Sequence, residues 1–359
     1  MLQAGLIRWL ILALVAAAGS GHLRAGSLDK VWDLDLKKAL QGEHPGSGQS
    51  FKVVGLSFSP DGQQIVVRLI DKAVLFSVQE PKTVLGNFQS LAYHDSFGWS
   101  SDSQTIYSGG HVVHLAERKA CDLPGTVLVP GFIGETTLVA QRFDGLYPVG
   151  RDPRATARLG FYDADCQEQD SWEVPKGWLI ADVSPDRGLL LAWEITPLFP
   201  YGHKELIVSP LTQKVLRSRI VQSGPIGWFA DRSSALCGGK ICWNVDTANQ
   251  IGQAPVSGSV GSASEVAARS SRVVLDDPHE SGIPFASTFT EMAARRRVWD
   301  FRTNHEVVSW QLRFITYPIT FDGDGFSRDR KPFPCALSPD GGYIVEGGDG
   351  KVSLYKIQP

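Results

Sequence analysis

The paired histidines of HVVH (111–114) look like the start of a metal site. In an extended strand, residues three apart point to opposite faces, so His111 and His114 are not placed to share an ion. FDGDGFSRD (321–329) offers Asp322, Asp324 and Asp329 as a fragment of a calcium loop. It lacks the regular Asp spacing and the distal Glu that complete such a loop, and it reads as solvated. The sequence holds no G-x-S-x-G elbow, phosphate-binding G-x-x-x-x-G-K-[ST], H-E-x-x-H or G-x-G-x-x-G after a strand, so no motif names a reaction. CGGKIC (237–242) is the most informative cluster. With Gly239-Lys240 as a two-residue hairpin turn, Gly238 faces Ile241 and Cys237 faces Cys242, which predicts a disulfide. Zinc is the competing use, but C-x₄-C without a second ligand pair does not make a tetrahedral site.

Aromatic and cationic side chains gather in four long stretches: 143–156, 195–203, 276–294 and 314–333. They carry Tyr147, Phe199, Tyr201, Phe285, Phe289 and Tyr317 beside Arg151, Arg154, His203 and His279. That mixture is enriched at interaction sites, although the same aromatics could instead pack their loops onto a scaffold. As a group they predict a binding face for a protein or small-molecule ligand, with no cofactor and no metal. No catalytic residue is assigned.

The elements that must carry these loops are short strands. SPDG (59–62), SPDRG (184–188) and SPDGG (338–342) each separate two apolar runs, and SSDS (100–103) and ADRS (230–233) are looser copies. Ser opens the turn, Pro presets φ, Asp caps the local backbone and Gly takes the left-handed position. Laid out on this turn, residues 30–357 divide into seven blocks of short strands, of which the third and sixth lack a recognisable copy. The last block has three strands, whereas KVWDLDL (30–36) alternates and belongs to no block. Lending it to the last block closes a ring and removes two exposed sheet edges. In such a four-stranded meander the Ser-Asp turns leave by one end and the long stretches by the other, where binding usually resides.

These turns, together with the strand endings LFS (75–77), CWN (242–244), VWD (298–300) and LYK (354–356), resemble the WD40-like β-propellers, including exported bacterial propellers of the TolB type. The resemblance covers most of residues 30–357. It implies an all-β, seven-bladed β-propeller of four-stranded antiparallel blades. Propellers host many functions, so the resemblance leaves two readings: a non-enzymatic binding or scaffold module, or an exported propeller enzyme such as a quinoprotein-like oxidoreductase, hydrolase or lyase. A TolB-like envelope component would need a separate N-terminal domain, for which residues before 50 leave no room.

The chain as a whole agrees. Its 359 residues include 37 Gly, 21 Pro and ten Trp, a composition of turns and aromatic packing. A net charge of -3 gives no concentrated basic surface for nucleic acid, and the one basic run, Arg295-Arg296-Arg297, reads as a solvated loop. Arg8 precedes the short apolar run WLILALVAAA and then small residues, which predicts a secretory signal peptide over residues 1–25 rather than a membrane anchor. The mature domain, 26–359, is then exported to the periplasm or beyond, where disulfides persist. Cys121 and Cys166 are the further pair available, and the odd count leaves one of the five cysteines over.

Overall fold

The computed structural model describes residues 26–40, 51–70, 72–81, 84–88, 97–108, 110–125, 127–143, 157–184, 186–194, 203–221, 227–254, 266–277, 295–311, 314–316, 320–322, 325–327, 330–348 and 350–358. Residues 1–25, where the sequence predicts a signal peptide, lie outside them.

The strands form seven antiparallel blades in a ring, each built in chain order from an innermost strand a to an outermost strand d. Blade 1 comprises Gly55–Phe58, Gln64–Arg68, Ala73–Ser77 and Val84–Phe88. Blade 2 comprises Phe97–Trp99, Thr105–Ser108, His111–His114 and Lys119–Asp122. Blade 3 comprises Val127–Ile133, Thr137–Phe143, Ala157–Tyr162 and Glu168–Val174. Blade 4 comprises Trp178–Ser184, Leu189–Glu194, His203–Ser209 and Lys214–Val221. Blade 5 comprises Trp228–Ala230, Ala235–Gly238, Ile241–Asn244 and Gln250–Gln253. In blade 6, strands b to d are Arg272–Asp277, Arg295–Asp300 and His305–Gln311, and among the described residues strand a is marked by the bridge between Val266 and Val273. Blade 7 takes Cys335–Leu337, Tyr343–Gly347 and Lys351–Ile357 from the C-terminal end and Leu28–Asp35 from the N-terminal end.

That last strand is the closure the sequence predicts, in antiparallel register from Leu28 opposite Ile357 to Asp35 opposite Lys351. A single helical turn, Leu36–Ala39, follows it, capped by Asp35 accepting from the Lys38 N–H and anchored by buried Leu36. Seven apolar clusters fill the seams between successive blades, and the one between blades 7 and 1 closes the circle with Leu34, Val53, Phe58, Val67, Val345 and Leu354. Alternation along each strand sends successive side chains to opposite seams, so every blade is apolar on both sides.

The Ser-Asp turns form one hydrogen-bonded device. In blade 1, Ser59 Oγ donates to Asp61 and accepts from the Gln64 N–H at 2.9 Å, while Asp61 accepts from the Gln63 N–H at 2.9 Å. Ser100 with Asp102 and Ser338 with Asp340 repeat the arrangement. Pro and Gly are dispensable: SSDS has neither, and Ser103 takes φ 63° where Gly62 has 74° and Gly341 has 70°. ADRS differs, with Asp231, Arg232 and Ser233 all left-handed.

Three expectations are corrected. The sixth block does contain the turn: the Ala267 N–H donates to the Arg272 carbonyl just as Ser59 does to Gln64, and the Arg272 N–H donates to Ser270 Oγ at 3.3 Å where Gln64 uses Ser59. Arg295-Arg296-Arg297 is not a solvated loop but the start of strand c of blade 6, with Arg296 only 1 % exposed. Segment 314–333 is not loop throughout: Phe314–Thr316 pairs with Arg330–Pro332, and Thr320–Asp322 with Gly325–Ser327.

The expected disulfide forms, and so does the further pair the sequence left open. Cys237 and Cys242 join strands b and c of blade 5 in the predicted register, with Gly239 at φ 58°. Cys121, on strand d of blade 2, bonds Cys166 in the c–d turn of blade 3. Cys335 is buried and outside both bridges.

Candidate functional site

The two ends of the ring differ in what they bury. At the Ser-Asp end the buried polar side chains are Ser59, Ser100, Ser103, Thr105, Ser184, Ser233 and Ser338, small groups that complete turns. The turns also bond one another around the ring. Asp61 N–H donates to Ser103 Oγ at 3.1 Å, Ser101 Oγ to the Gly134 carbonyl at 2.8 Å, and Arg269 N–H to the Pro339 carbonyl at 2.8 Å. This end uses its hydrogen-bonding groups on the ring itself.

At the opposite end, from which the b–c and d–a connections leave, the buried polar side chains are Lys52, Arg68, Lys72, Ser108, Gln141, Glu205, Arg296 and Glu346. Several sit at the end of strand b or the start of strand c and reach the backbone that enters the next blade. Gln141 of blade 3 accepts from the Ile180 N–H at 2.8 Å and donates to the Trp178 carbonyl at 3.0 Å. Glu205 of blade 4 accepts from the Gly227 N–H at 2.8 Å. Arg296 of blade 6 donates to the Phe333 carbonyl at 2.8 Å and to Glu346 of blade 7 at 3.2 Å, with Asp276 on its other edge. Burial works against the Arg296 charge, but Cys335, Asp276 and Glu346 outweigh it and raise its pKa. Gln141, Glu205 and Arg296 thus fix the backbone at the end from which the long connections leave, while Ser108 Oγ is buried there without a hydrogen-bond partner.

Of the residues expected to line that face, His203 opens strand c of blade 4, opposite Val221. Tyr147, Arg151, Arg154, Phe199, Tyr201, His279, Phe285, Phe289 and Tyr317 lie outside the described residues. The two histidines of HVVH are engaged separately. His111 pairs with Asp122, and the His114 ring accepts from Thr105 through Nδ1 at 2.9 Å and donates through Nε2 to the Ala164 carbonyl. Among the described residues no three His, Cys, Asp or Glu side chains group as metal ligands.

Nearer the axis, Asp182 sits beside a bulge in the innermost strand of blade 4. It accepts from the Val183 and Phe229 N–H groups, each at 2.8 Å, tying blade 4 to blade 5. Burial nonetheless pushes its carboxyl up to about 7. Tyr107, buried on blade 2, is likewise raised, first by burial and then by the Asp182 charge. No pattern in the sequence singled out either residue, because each depends on neighbours in other blades.

No protein-family model matches the chain, and no curated protein is similar to it in sequence. The fold therefore stands on the blades and their seams.

A separate cleft of about 880 Å³ opens between the outer strands of blades 1 and 2, lined by Leu75, Leu85, Phe88, Val113, His114 and Arg118. Gln64 also borders it, and its Oε1 is buried without a hydrogen-bond partner.

Proposed function

We propose that the chain is an exported WD40-like propeller, of the kind found in TolB-type proteins, that acts as a non-enzymatic binding or scaffold module through its long-loop face. The observation that supports this reading is the asymmetry of the two ends among the described residues: one uses small polar groups in its turns and between them, and the other, from which the long connections leave, buries charged and amide side chains. A rigid floor under long loops is the arrangement by which scaffolds present adaptable contacts. Export is supported by the leader composition and by two disulfides, which persist in oxidising compartments. Among the described residues no helix is long and apolar enough to cross a membrane. The partner is a protein or small molecule; nucleic acid is disfavoured by the net charge of -3.

The enzyme reading draws on Asp182, a carboxyl poised near neutrality on an innermost strand. A thermal-shift screen of residues 26–359 against peptides, sugars, metal ions and quinones, with Tyr201→Ala and Arg154→Ala alongside, separates the readings. The binding module predicts shifts that either loop substitution abolishes. Shifts abolished by Asp182→Asn and untouched by the loop substitutions would favour the enzyme.

A further inference from the structure

Six large apolar side chains stand exposed among the described residues, and four of them share one hairpin at the rim of blade 4: Leu211 (95 %), Val215 (43 %), Leu216 (43 %) and Ile220 (59 %). The hairpin ends in strand d, Lys214–Val221, the outermost strand of its sheet. This edge is eight residues long, contains no proline, and carries Lys214, Arg217 and Arg219 with no acidic residue. The outer row of N–H and C=O groups on an edge of this length can template another strand, and cationic side chains select against a partner that is not acidic.

The register sorts its side chains. Val208 faces Val215 and Ile207 faces Arg217, so Leu216 is the extra residue of a bulge. Beyond it, Arg217 and Arg219 project toward blade 5: Arg219 pairs with Glu205 of its own blade and stacks on Trp243 of blade 5 at 4.4 Å, and Arg217 donates to the Asp246 carbonyl at 2.9 Å. Val215, Ser218 and Ile220 project to the other side. A small cleft opens beneath the arginine row, lined by Ile207, Arg217, Arg219, Leu236 and Trp243.

From these observations we propose that strand d of blade 4 is a docking edge for an extended peptide segment in which acidic and aliphatic residues alternate. The segment adds as a fifth strand. Its carboxylates meet the Arg217 side, its aliphatic side chains cover Val215 and Ile220, and main-chain bonds supply affinity. Charge disfavours the neighbouring edge, because the outer strand of blade 3 carries Asp170 and Glu173 and repels such a peptide, and the outer strands of blades 1 and 5 carry no cation to attract it. A second copy of the same edge is disfavoured: antiparallel pairing would set Lys214, Arg217 and Arg219 against like charges. The site is independent of the long-loop face.

The test is fluorescence anisotropy of the mature protein with a labelled peptide, Glu-Val-Glu-Ile-Glu-Val-Glu-Ile, and its counterpart with Lys in place of Glu. The proposal expects saturable binding of the acidic peptide alone, weakened at least tenfold by Arg217→Glu and by Ile220→Glu at unchanged melting temperature, and unaffected by Tyr201→Ala. Charge reversal with Lys214→Glu and Arg217→Glu together should transfer binding to the lysine peptide. No binding of the acidic peptide at 1 mM (about 4 kcal/mol of affinity), or equal binding of both peptides, overturns the proposal. So does sedimentation as a dimer that Ile220→Glu dissolves, which would assign the edge to a second copy. If Tyr201→Ala alone abolishes binding, the peptide has found the long-loop face and the rim assignment is wrong.

Discussion

Arg296 on blade 6 and Glu346 on blade 7 meet across a buried seam, 3.2 Å apart, with side chains 1 % and 2 % exposed. Removing one partner of such a pair leaves the other charge buried and uncompensated, which costs about 3–5 kcal/mol. Arg296→Met should therefore lower stability by that order in urea unfolding. Adding Glu346→Leu should recover part of the loss, because it removes the stranded carboxylate. Strictly additive losses would show that the two side chains do not act as a pair.

The shared Ser-Asp turn predicts a gain as well as a loss. Ser338→Ala removes the acceptor for the Tyr343 N–H and the donor to Asp340, and should cost about 1–2 kcal/mol. Ala267→Ser with Arg269→Asp installs the same groups on the turn of blade 6, replacing the 3.3 Å bond from the Arg272 N–H to Ser270 Oγ, and should raise stability by up to about 1 kcal/mol. Melting curves of the two variants check both signs.

The disulfides should differ in weight. Cys121–Cys166 spans a sequence separation of 45 and Cys237–Cys242 one of 5. Chain-entropy reasoning gives roughly 4 kcal/mol for the first and roughly 2 kcal/mol for the second. Paired Cys→Ser replacements, compared by denaturant unfolding, should rank in that order.

Asp182 makes stability depend on pH in an unusual direction. Its folded pKa of about 7 lies above the ordinary 3.8, so the folded state holds the proton more tightly. The contribution is fully present below about pH 4, is lost as pH rises, and has gone above about pH 7, with a ceiling of about 4 kcal/mol. Asp182→Asn keeps one acceptor for two N–H donors and should cost some stability at every pH. Only the slope between pH 4 and 7 is diagnostic, and the variant should flatten it.

What was legible in the sequence was what local chemistry writes. Ser59-Asp61 and its copies bond their own backbone within five residues, so the turns and hence the blades could be counted. Cys237 and Cys242 flank a two-residue turn, so their pairing followed from register. The blade 6 turn was missed because Ala267 and Arg269 carry none of those side-chain groups. The arginine run was misread because Asp276 and Glu346, the partners that bury Arg296, lie 20 and 50 residues away in sequence. Asp182 was invisible for the same reason, since its second donor, the Phe229 N–H, comes from another blade. Of the predicted binding residues only the strand position of His203 falls among those described.

The most direct test of the account is a hydrogen-exchange footprint of residues 26–359 with the compound or peptide that stabilises it most in the thermal-shift screen. The account predicts new protection confined to the connections around 143–157, 194–203, 277–295 and 311–335, with the turns at 59–64, 100–105 and 338–343 unchanged. Protection centred on those turns, or on the innermost strand 178–184 around Asp182, would contradict a binding module that works through its long-loop face.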